Sequence, residues 1–270
     1  MCRMFGFVSP GASSVADSLG ARGLTDLHAL AQLHADGWGW AGIGRPGERP
    51  EVVKSMMPAE QDASFQAALD SSRHAAMLHL RWATVGIGVE QTNTHPFVAG
   101  DITFEHNGAL KPIDTMRALL SPRSRAALTG ATDSEMYFAL ILELVPHEAS
   151  VPAAVARAAR TIRQEFPVAS LNAMLLTPEH MIVVHSSARS ALDEIDLVEA
   201  AQFELPDEHA EDYFALRWSR TEDGTVLVAS SGLSEESWAP LPTDTVMAIS
   251  LTDGSIQMLA LDATAEEVTA

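Results

Sequence analysis

The sequence predicts an α+β fold with antiparallel sheets. Short apolar runs with strand character come in groups, and helical blocks separate the groups. The links within a group are too short for the crossovers that parallel strands need. The 270 residues are 47% hydrophobic, which is typical of a globular chain. No linker is evident, so we expect a single domain over residues 1–270.

The first half of the chain alternates strands with helices. Apolar runs between turns predict four strands, at Arg3–Val8, Trp38–Ile43, Ala75–Ala83 and Asp101–His106. A helix is predicted at Ala59–Ser71. The sequence Thr132-Asp133-Ser134-Glu135 precedes the apolar run Met136–Val145 and is a capping box, in which the first hydroxyl and the last carboxylate each bind a free backbone N–H. Val151–Gln164 has its apolar residues on one face, which predicts an amphipathic helix.

The second half is rich in strands. Leu171–Leu176 and Met181–His185 are predicted to form a hairpin. Asp-Gly turn signals separate further apolar runs, which predict strands at Phe214–Trp218, Thr225–Ser230, Asp244–Leu251 and Ile256–Leu261. The acidic segment between Ser186 and Asp212 is predicted to be a solvated surface loop.

Composition and charge exclude several classes of protein. Seventeen basic and 36 acidic residues give a net charge of −19, and a field of this sign repels phosphate groups. Nucleic acid and membrane surfaces are therefore not expected as partners. No apolar run approaches the ~18 residues of a membrane span, and the N-terminus lacks the apolar core of a secretory signal. One cysteine rules out an internal disulfide and a multi-cysteine zinc site. We expect a soluble, cytoplasmic protein.

The single cysteine is residue 2. If Met1 is removed, Cys2 carries a free α-amine. The reference pKa of an α-amine is about 7.7–8.0, so this group can take the thiol proton near neutral pH. Nucleophile and base then belong to one residue. The alternative is an ordinary buried cysteine, since free cysteine is among the most buried residue types.

Four further positions carry chemistry. Arg81 lies among the last residues of a predicted strand, where its planar fork suits a carboxylate. The side-chain amide of Asn107 and the backbone N–H of Gly108 are suitable donors for an oxyanion. Asp133 lies in the first turn of a helix and is a candidate acceptor for an ammonium group, and His95 lies in a turn. Each position also has a purely structural alternative. These are a surface ion pair for Arg81, a hairpin turn for Asn107-Gly108, a helix cap for Asp133 and a hydrogen-bonded structural histidine for His95.

The combination resembles the class II glutamine amidotransferases, which are N-terminal-nucleophile hydrolases. The motifs that carry the resemblance occur in the family's order: Cys2, Arg81-Trp82-Ala83-Thr84, His106-Asn107-Gly108 and Thr132-Asp133-Ser134-Glu135. Three more segments resemble the stand-alone branch, which includes γ-glutamyl hydrolases of ergothioneine biosynthesis and the amidotransferase-like subunit of fungal glutathione degradation. They are His34-Ala35-Asp36-Gly37-Trp38-Gly39, Asn93-Thr94-His95-Pro96-Phe97 and the region from Val228 to Trp238.

The resemblance implies a four-layer αββα sandwich and a role for each matching residue. Cys2 is then the nucleophile, and Asn107 with Gly108 forms the oxyanion hole. Arg81, with Thr84 nearby and the Trp82 backbone, holds the substrate α-carboxylate. Asp133 holds the substrate α-ammonium group, and His95 and Asp36-Gly37 shape the pocket. No metal or organic cofactor is implied.

The implied reaction is hydrolysis of the γ-amide of glutamine, or of a γ-glutamyl compound, through a thioester. Two alternatives stay open. One is a glutaminase subunit that delivers ammonia to a separate synthetase, and the other is a catalytically silent relative used for binding. A synthetase or a peptidase is a partner that the resemblance allows. The ergothioneine-pathway enzymes of this family often lack the tryptophan of the Arg81-Trp82 pair, and this difference weakens assignment to that pathway.

Overall fold

Two antiparallel sheets form the centre of the molecule. The computed structural model describes residues 2–83, 88–187, 189–206, 209, 212–233 and 238–261. Within these residues the first sheet has the strand order β11-β9-β10-β1-β4-β2-β3. Its strands are β1 (Cys2–Ser13), β2 (Trp38–Ile43), β3 (Glu51–Ser55), β4 (Arg73–Arg81), β9 (Leu216–Arg220), β10 (Val226–Ser230) and β11 (Ala239–Pro240).

The second sheet has the order β13-β12-β8-β7-β6-β5. Its strands are β5 (Phe97–Ala99), β6 (Ile102–Asn107), β7 (Asn172–Leu176), β8 (His180–His185), β12 (Thr245–Ser250) and β13 (Ile256–Ala260). The helices are α1 (Val15–Leu33), α2 (Ala63–Leu69), α3 (Ile113–Ala118), α4 (Pro122–Ala127), α5 (Asp133–Leu144), α6 (Val151–Glu165) and α7 (Glu194–Ala200). None of the described helices is both long and apolar enough to cross a membrane.

Three apolar layers hold the sheets and helices together. Met4 and Met77 of the first sheet pack against Met174 and Met247 of the second, so the sheets lie face to face. The outer face of the first sheet packs against α1 and α2, and the outer face of the second packs against α5 and α6. The order of layers is therefore helix, sheet, sheet, helix, and the α+β prediction is confirmed.

Strand β1 lies in the middle of the first sheet and is buried on both faces. Its residues alternate, because successive side chains of a strand point to opposite faces. Met4 and Val8 face the second sheet, whereas Phe5 and Phe7 face the helices. This alternation fixes the direction of Cys2, which shares the face of Met4.

The predicted strands are confirmed within a residue or two, except that β1 continues to Ser13. The helix predicted at Ala59–Ser71 is confirmed only over Ala63–Leu69, and its first turn is separate. A 3₁₀ turn occupies Ala59–Gln61, and Asp62 then starts α2 by accepting a hydrogen bond from the Ser64 N–H at 3.0 Å. Helix α1 was not predicted, and a positive φ of 64° at Gly20 interrupts it.

The capping box is only half formed. Thr132 Oγ1 accepts from the Glu135 N–H at 3.1 Å, as predicted. The Glu135 carboxylate, however, binds the N–H groups of Thr129 and Gly130 at 2.6 and 2.8 Å, instead of returning to Thr132. It therefore fixes the loop before α5 and not the cap itself. The acidic segment also differs from the prediction, because it contains α7.

Candidate active site

Cys2 is the first residue of the central strand β1 and lies beside the last residue of β6 in the facing sheet. It pairs with Arg81 in the antiparallel ladder between β1 and β4. Its backbone N–H donates to Asn107 Oδ1, at the end of β6, at 2.9 Å. The first residue of one sheet is thus fixed to the last residue of a strand in the other. The Cys2 side chain is nearly buried.

One cleft collects most of the predicted site residues: Cys2, Arg81, Trp82, His95, Gly108 and Asp133 all line it. Asn107 adjoins the cleft through its bond to Cys2. Thr84 lies outside the described residues. The cleft is completed by residues for which the motifs predicted no part in binding or catalysis: Ala83, Asn93, His106, Thr132 and Ser134.

The Asn107 amide is placed to act as a donor. It is fully buried, and its Oδ1 is occupied by Cys2. Its Nδ2 has no hydrogen-bond partner among the described residues. A buried amide N–H without a partner is costly, so it is available for an acceptor that enters the cleft. A donor without a partner next to the thiol is one of the groups that stabilisation of an oxyanion requires.

Gly108 follows directly and packs against Ser170. A Cβ at this position would lie 2.1 Å from the Ser170 carbonyl oxygen, so only glycine allows this approach. The Ser170 hydroxyl also donates to the Asn107 carbonyl at 2.7 Å. These contacts fix the backbone of both candidate donors.

The Arg81 guanidinium is held by carbonyl oxygens. It donates to Asp36 O at 3.4 Å and to Gly88 O at 3.3 Å. Among the described residues it forms no ion pair, so its charge remains for a ligand carboxylate. The Asp36 carboxylate accepts from the Ala83 N–H at 2.7 Å and thereby supports the strand end that carries Arg81.

Asp133 begins α5 and is nearly buried. One carboxylate oxygen accepts from the Leu110 N–H at 2.5 Å, and the other accepts from the Ser134 N–H at 3.0 Å. These bonds tie the loop after Gly108 to the helix. Each carboxylate oxygen has a second lone pair, so Asp133 retains the capacity to accept from an ammonium group.

His95 lines the cleft with both ring nitrogens unbonded among the described residues. Its ring lies 4.2 Å from that of His79, centroid to centroid. Burial lowers the pKa of His79 to about 3 and holds that of His95 well below its usual value. Both imidazoles are therefore neutral near pH 7, and they present dipoles rather than charges.

The turn that carries His95 is tightly placed. A Cβ on Gly39 would lie 2.1 Å from the His95 carbonyl oxygen. Lys54 Nζ donates to the Thr94 carbonyl at 2.8 Å on the other side. The glycine in β2 and the lysine in β3 therefore position the turn from the neighbouring sheet.

His106 is a site residue that the sequence analysis quoted without a role. Its Nε2 donates to Ser170 O at 3.1 Å, which leaves Nδ1 to accept from the Ser134 hydroxyl at 3.0 Å. Burial lowers its pKa, so it stays neutral. It connects β6 to α5 behind the cleft, and its position beside Asn107 in the sequence was the available signal.

Together these residues supply a thiol, an unpaired amide donor, a free cation and a carboxylate in one cleft. That set suits attack on the carbonyl of an amino-acid-like substrate. Within the described ranges, no three histidine, cysteine, aspartate or glutamate side chains are grouped so that they could share a metal ion.

A family model described as glutamine amidotransferases class-II matches residues 1–269. The chain belongs to this family. The resemblance inferred from the motifs is thereby confirmed, and with it the class of enzyme.

The curated relatives of the chain are named for different reactions. The glutamine–fructose-6-phosphate aminotransferase of Vibrio cholerae is 36% identical over 117 residues, which are 43% of this chain and 19% of that protein. The γ-glutamyl-hercynylcysteine sulfoxide hydrolase of Mycobacterium tuberculosis is 34% identical over 79 residues, 29% of this chain and 33% of that protein. The matches span a third or less of these relatives' lengths.

Solved amidotransferases share the fold. The glutamine phosphoribosylpyrophosphate amidotransferase of Bacillus subtilis superposes with a TM-score of 0.64 at 15% identity, over 97% of this chain and 50% of that one. The four-layer arrangement is thus the N-terminal-nucleophile hydrolase fold that the motifs implied.

Proposed function

We propose that this chain hydrolyses the γ-amide of glutamine or of a γ-glutamyl compound through a thioester on Cys2. The observation that carries the proposal is the cleft itself. Cys2 bonds to Asn107 Oδ1, the amide nitrogen of Asn107 is free, and Arg81 and Asp133 line the same space. The products are glutamate and either ammonia or an amine.

The reaction begins at Cys2 once Met1 has been removed. The α-amine takes the thiol proton, and the thiolate forms a bond to the γ-carbonyl carbon. The carbonyl electron pair moves to oxygen, which accepts hydrogen bonds from Asn107 Nδ2 and from the Gly108 N–H. The C–N bond then breaks as the leaving amine takes a proton from the Cys2 ammonium group. Water hydrolyses the thioester, with the same amine as base, and releases glutamate.

The other end of the substrate is recognised by charge. Arg81 binds the α-carboxylate bidentately, assisted by the Trp82 backbone and by Thr84. Asp133 accepts from the α-ammonium group. His95, which is neutral, offers a ring nitrogen to the same polar end. The roles of Arg81, Trp82, Asp133 and His95 rest on their shared cleft and on the chemistry of each group, whereas that of Thr84 rests on the family resemblance alone.

The similarity to a γ-glutamyl hydrolase supports a substrate with a group beyond the γ-amide. A second candidate is a glutaminase that delivers ammonia to a synthetase partner. Similarity to glutamine–fructose-6-phosphate aminotransferases favours it, and so does a groove of about 570 Å³ whose apolar walls include Phe97, Val98 and Phe138. An apolar groove of this kind suits protein contact.

Steady-state kinetics on the purified chain separates these candidates. Glutamine should be compared with γ-glutamyl peptides and with γ-glutamyl thioether amino acids. We expect turnover of a γ-glutamyl compound by the chain alone. Turnover of glutamine only, rising strongly when a synthetase is added, would favour the ammonia-delivering subunit. Absence of turnover for the whole panel, with Met1 removed, would support a silent binding protein.

A further inference from the structure

A buried arginine lies directly behind the candidate nucleophile. Arg3 follows Cys2 in β1, so its side chain points to the opposite face of the sheet. Only 2% of Arg3 is exposed. It faces an aromatic cluster to which Trp82 and Tyr213 belong. Arginine is rarely buried to this extent without a partner, so the contacts of this side chain need an explanation.

The Arg3 guanidinium joins Cys2 to the segment that carries His209 and Tyr213, and its Nη2 donates to the His209 carbonyl at 3.5 Å. Its Nη1 donates to the Cys2 carbonyl at 3.1 Å and to the Tyr213 carbonyl at 3.2 Å. Its guanidinium carbon lies 3.7 Å from the centroid of the Tyr213 ring. No ion pair of the described residues includes Arg3. A full positive charge is thus buried against carbonyl oxygens and a π-face.

The Tyr213 hydroxyl is a second donor to the Cys2 carbonyl, and it is weaker than Arg3. The hydroxyl lies 3.4 Å from the Cys2 carbonyl and 3.2 Å from His34 Nε2. His34 Nδ1 lies 2.7 Å from the Leu30 carbonyl and must donate to it, so Nε2 of the neutral ring is an acceptor. Burial holds the pKa of His34 well below its usual value. The single hydroxyl hydrogen therefore has a closer acceptor in His34.

We propose that Arg3 is a positioning residue for catalysis, because it fixes the Cys2 carbonyl and its positive charge keeps the adjacent α-amine in the neutral, proton-accepting form. This inference rests on the proposed function, in which the Cys2 amine is the base. The proposal assigns a role to a residue on the face of the sheet opposite the cleft, which the substrate does not reach. Arg3 thus acts through Cys2 and does not touch the substrate.

Other ionisable groups around Cys2 come from β4, β6, α5, the turn that carries His95 and the segment that carries Tyr213. Burial lowers the pKa values of His95 and His106, which line the same cleft, and raises the pKa of Tyr213, so these three are neutral. Arg81 of β4 is a second cation, and Asp133 of α5 is a carboxylate in the same cleft. Glu105 of β6 is fully buried, and burial raises its pKa well above the usual value, so it is neutral. When substrate binds, its carboxylate compensates the charge of Arg81. Arg3 then remains as the uncompensated cation near the amine.

The size of the effect follows from distance. The backbone nitrogen and carbonyl oxygen of one residue are roughly 3 Å apart. With the 3.1 Å bond, Arg3 Nη1 lies within about 6 Å of the Cys2 nitrogen. A unit charge at this distance and an effective dielectric constant of about 20 shifts a titration by about one to two pH units. A cation disfavours the ammonium form, so its removal moves the acid limb of the rate profile to higher pH.

The test is the pH dependence of kcat/KM and kcat for wild type, Arg3→Met and Arg3→Lys, all lacking Met1. In Arg3→Met the acid limb of both profiles should move up by about one to two pH units. Arg3→Lys keeps a cation and should keep the limb near its wild-type position. Arg163→Met is the matched control, because Arg163 also binds backbone carbonyls, those of Phe166 and Ala169. It should lose stability without moving the limb.

A second readout does not depend on turnover. The rate of Cys2 alkylation by iodoacetamide should show the same movement of its acid limb in Arg3→Met. If this variant does not fold, Arg3→Gln takes its place. An unmoved limb in both readouts, or a uniform loss at every pH, would overturn the role of Arg3. Wild-type protein that alkylates normally and turns over no γ-glutamyl substrate would instead contradict the proposed function.

Discussion

Replacement of Asn107 by alanine tests the assignment of the oxyanion hole. Within the part of the chain that the structure describes, the Asn107 side chain makes one hydrogen bond, from the Cys2 N–H to Oδ1 at 2.9 Å, and Nδ2 has no partner. Asn107→Ala removes both the donor and the acceptor. Loss of an oxyanion donor costs about 10²–10³ in kcat, or about 3–4 kcal/mol. Loss of the bond to Cys2 adds about 1 kcal/mol. We expect kcat to fall by about three orders of magnitude while KM changes little, since the oxyanion forms only after attack.

Two variants separate this role from simple disruption. Asn107→Asp keeps the acceptor for Cys2 but puts a carboxylate where negative charge develops, so it should be at least as slow as Asn107→Ala. Asn172→Ala is the matched control. Asn172 is the cross-strand partner of Asn107 and is equally buried, and its amide binds Phe214 O and the Ser186 N–H at 2.5 and 3.0 Å. It should lose more stability than Asn107→Ala and keep kcat within a few-fold.

The assay is glutamate release from glutamine and from the preferred γ-glutamyl amide, with melting curves of each variant. An Asn107→Ala enzyme within about fivefold of wild-type kcat would refute the donor role, because a preorganised donor contributes far more. A rise in KM that matched the fall in kcat/KM would place the interaction in the ground state.

Three further outcomes are expected. Arg81→Lys should raise KM by about tenfold or more, since a point charge cannot replace the bidentate fork. For a substrate analogue that lacks the α-carboxylate, wild type and variant should have the same KM. A difference in KM that persisted with this analogue would exclude the assigned contact. Stability should fall as pH drops below 6.5: the unfolded chain binds a proton at His79 that the folded chain, with a pKa of about 3, does not bind. This one group costs about 1.4 kcal/mol at pH 5.5 relative to neutral pH, and urea melts of equal midpoint at pH 7.5 and 5.5 would argue against it. Gly39→Ala should destabilise the fold by about 1–3 kcal/mol, because its Cβ meets the His95 carbonyl. The control is Gly11→Ala, whose Cβ enters open space. Equal melting temperatures for the two variants would contradict the packing argument.

The site was largely predictable because its residues lie in short motifs at strand and helix ends. Arg81 closes β4, Asn107 closes β6 and Asp133 opens α5, and each of these boundaries has a local sequence signal. What the motifs did not reveal is how the groups are held. The bond from Cys2 to Asn107 joins residues that are 105 positions apart, and no local pattern specifies it.

Helix α1 was missed because its propensity is weak. It contains glycines at positions 20 and 23, and glycine inside a helix is unfavourable by roughly 0.5–1 kcal/mol relative to alanine. Leu27 and Leu30 are buried against the first sheet. Tertiary packing against β1 therefore decides the conformation, and periodicity in the sequence alone was too weak a signal.

The acidic segment was misjudged for a different reason. Its charge suggested a solvated loop, but the apolar residues Leu192, Phe203 and Leu205 pack on the cluster beside Trp82 and Tyr213. Net charge reports the exposed residues of such a segment and not the few that are buried. The contacts of Arg3 were not predictable either, because a single basic residue in an apolar strand gives no indication of what it contacts.

Mass spectrometry of the acid-quenched enzyme during turnover of its best γ-glutamyl substrate tests the central claim most directly. The claim predicts a chain without Met1 that carries an adduct of about 129 Da, the γ-glutamyl acyl group, on the peptide that begins with Cys2. The adduct should disappear in Cys2→Ser or after treatment with hydroxylamine. Full activity with Met1 retained, or an acyl group on any other residue during turnover, would contradict the account.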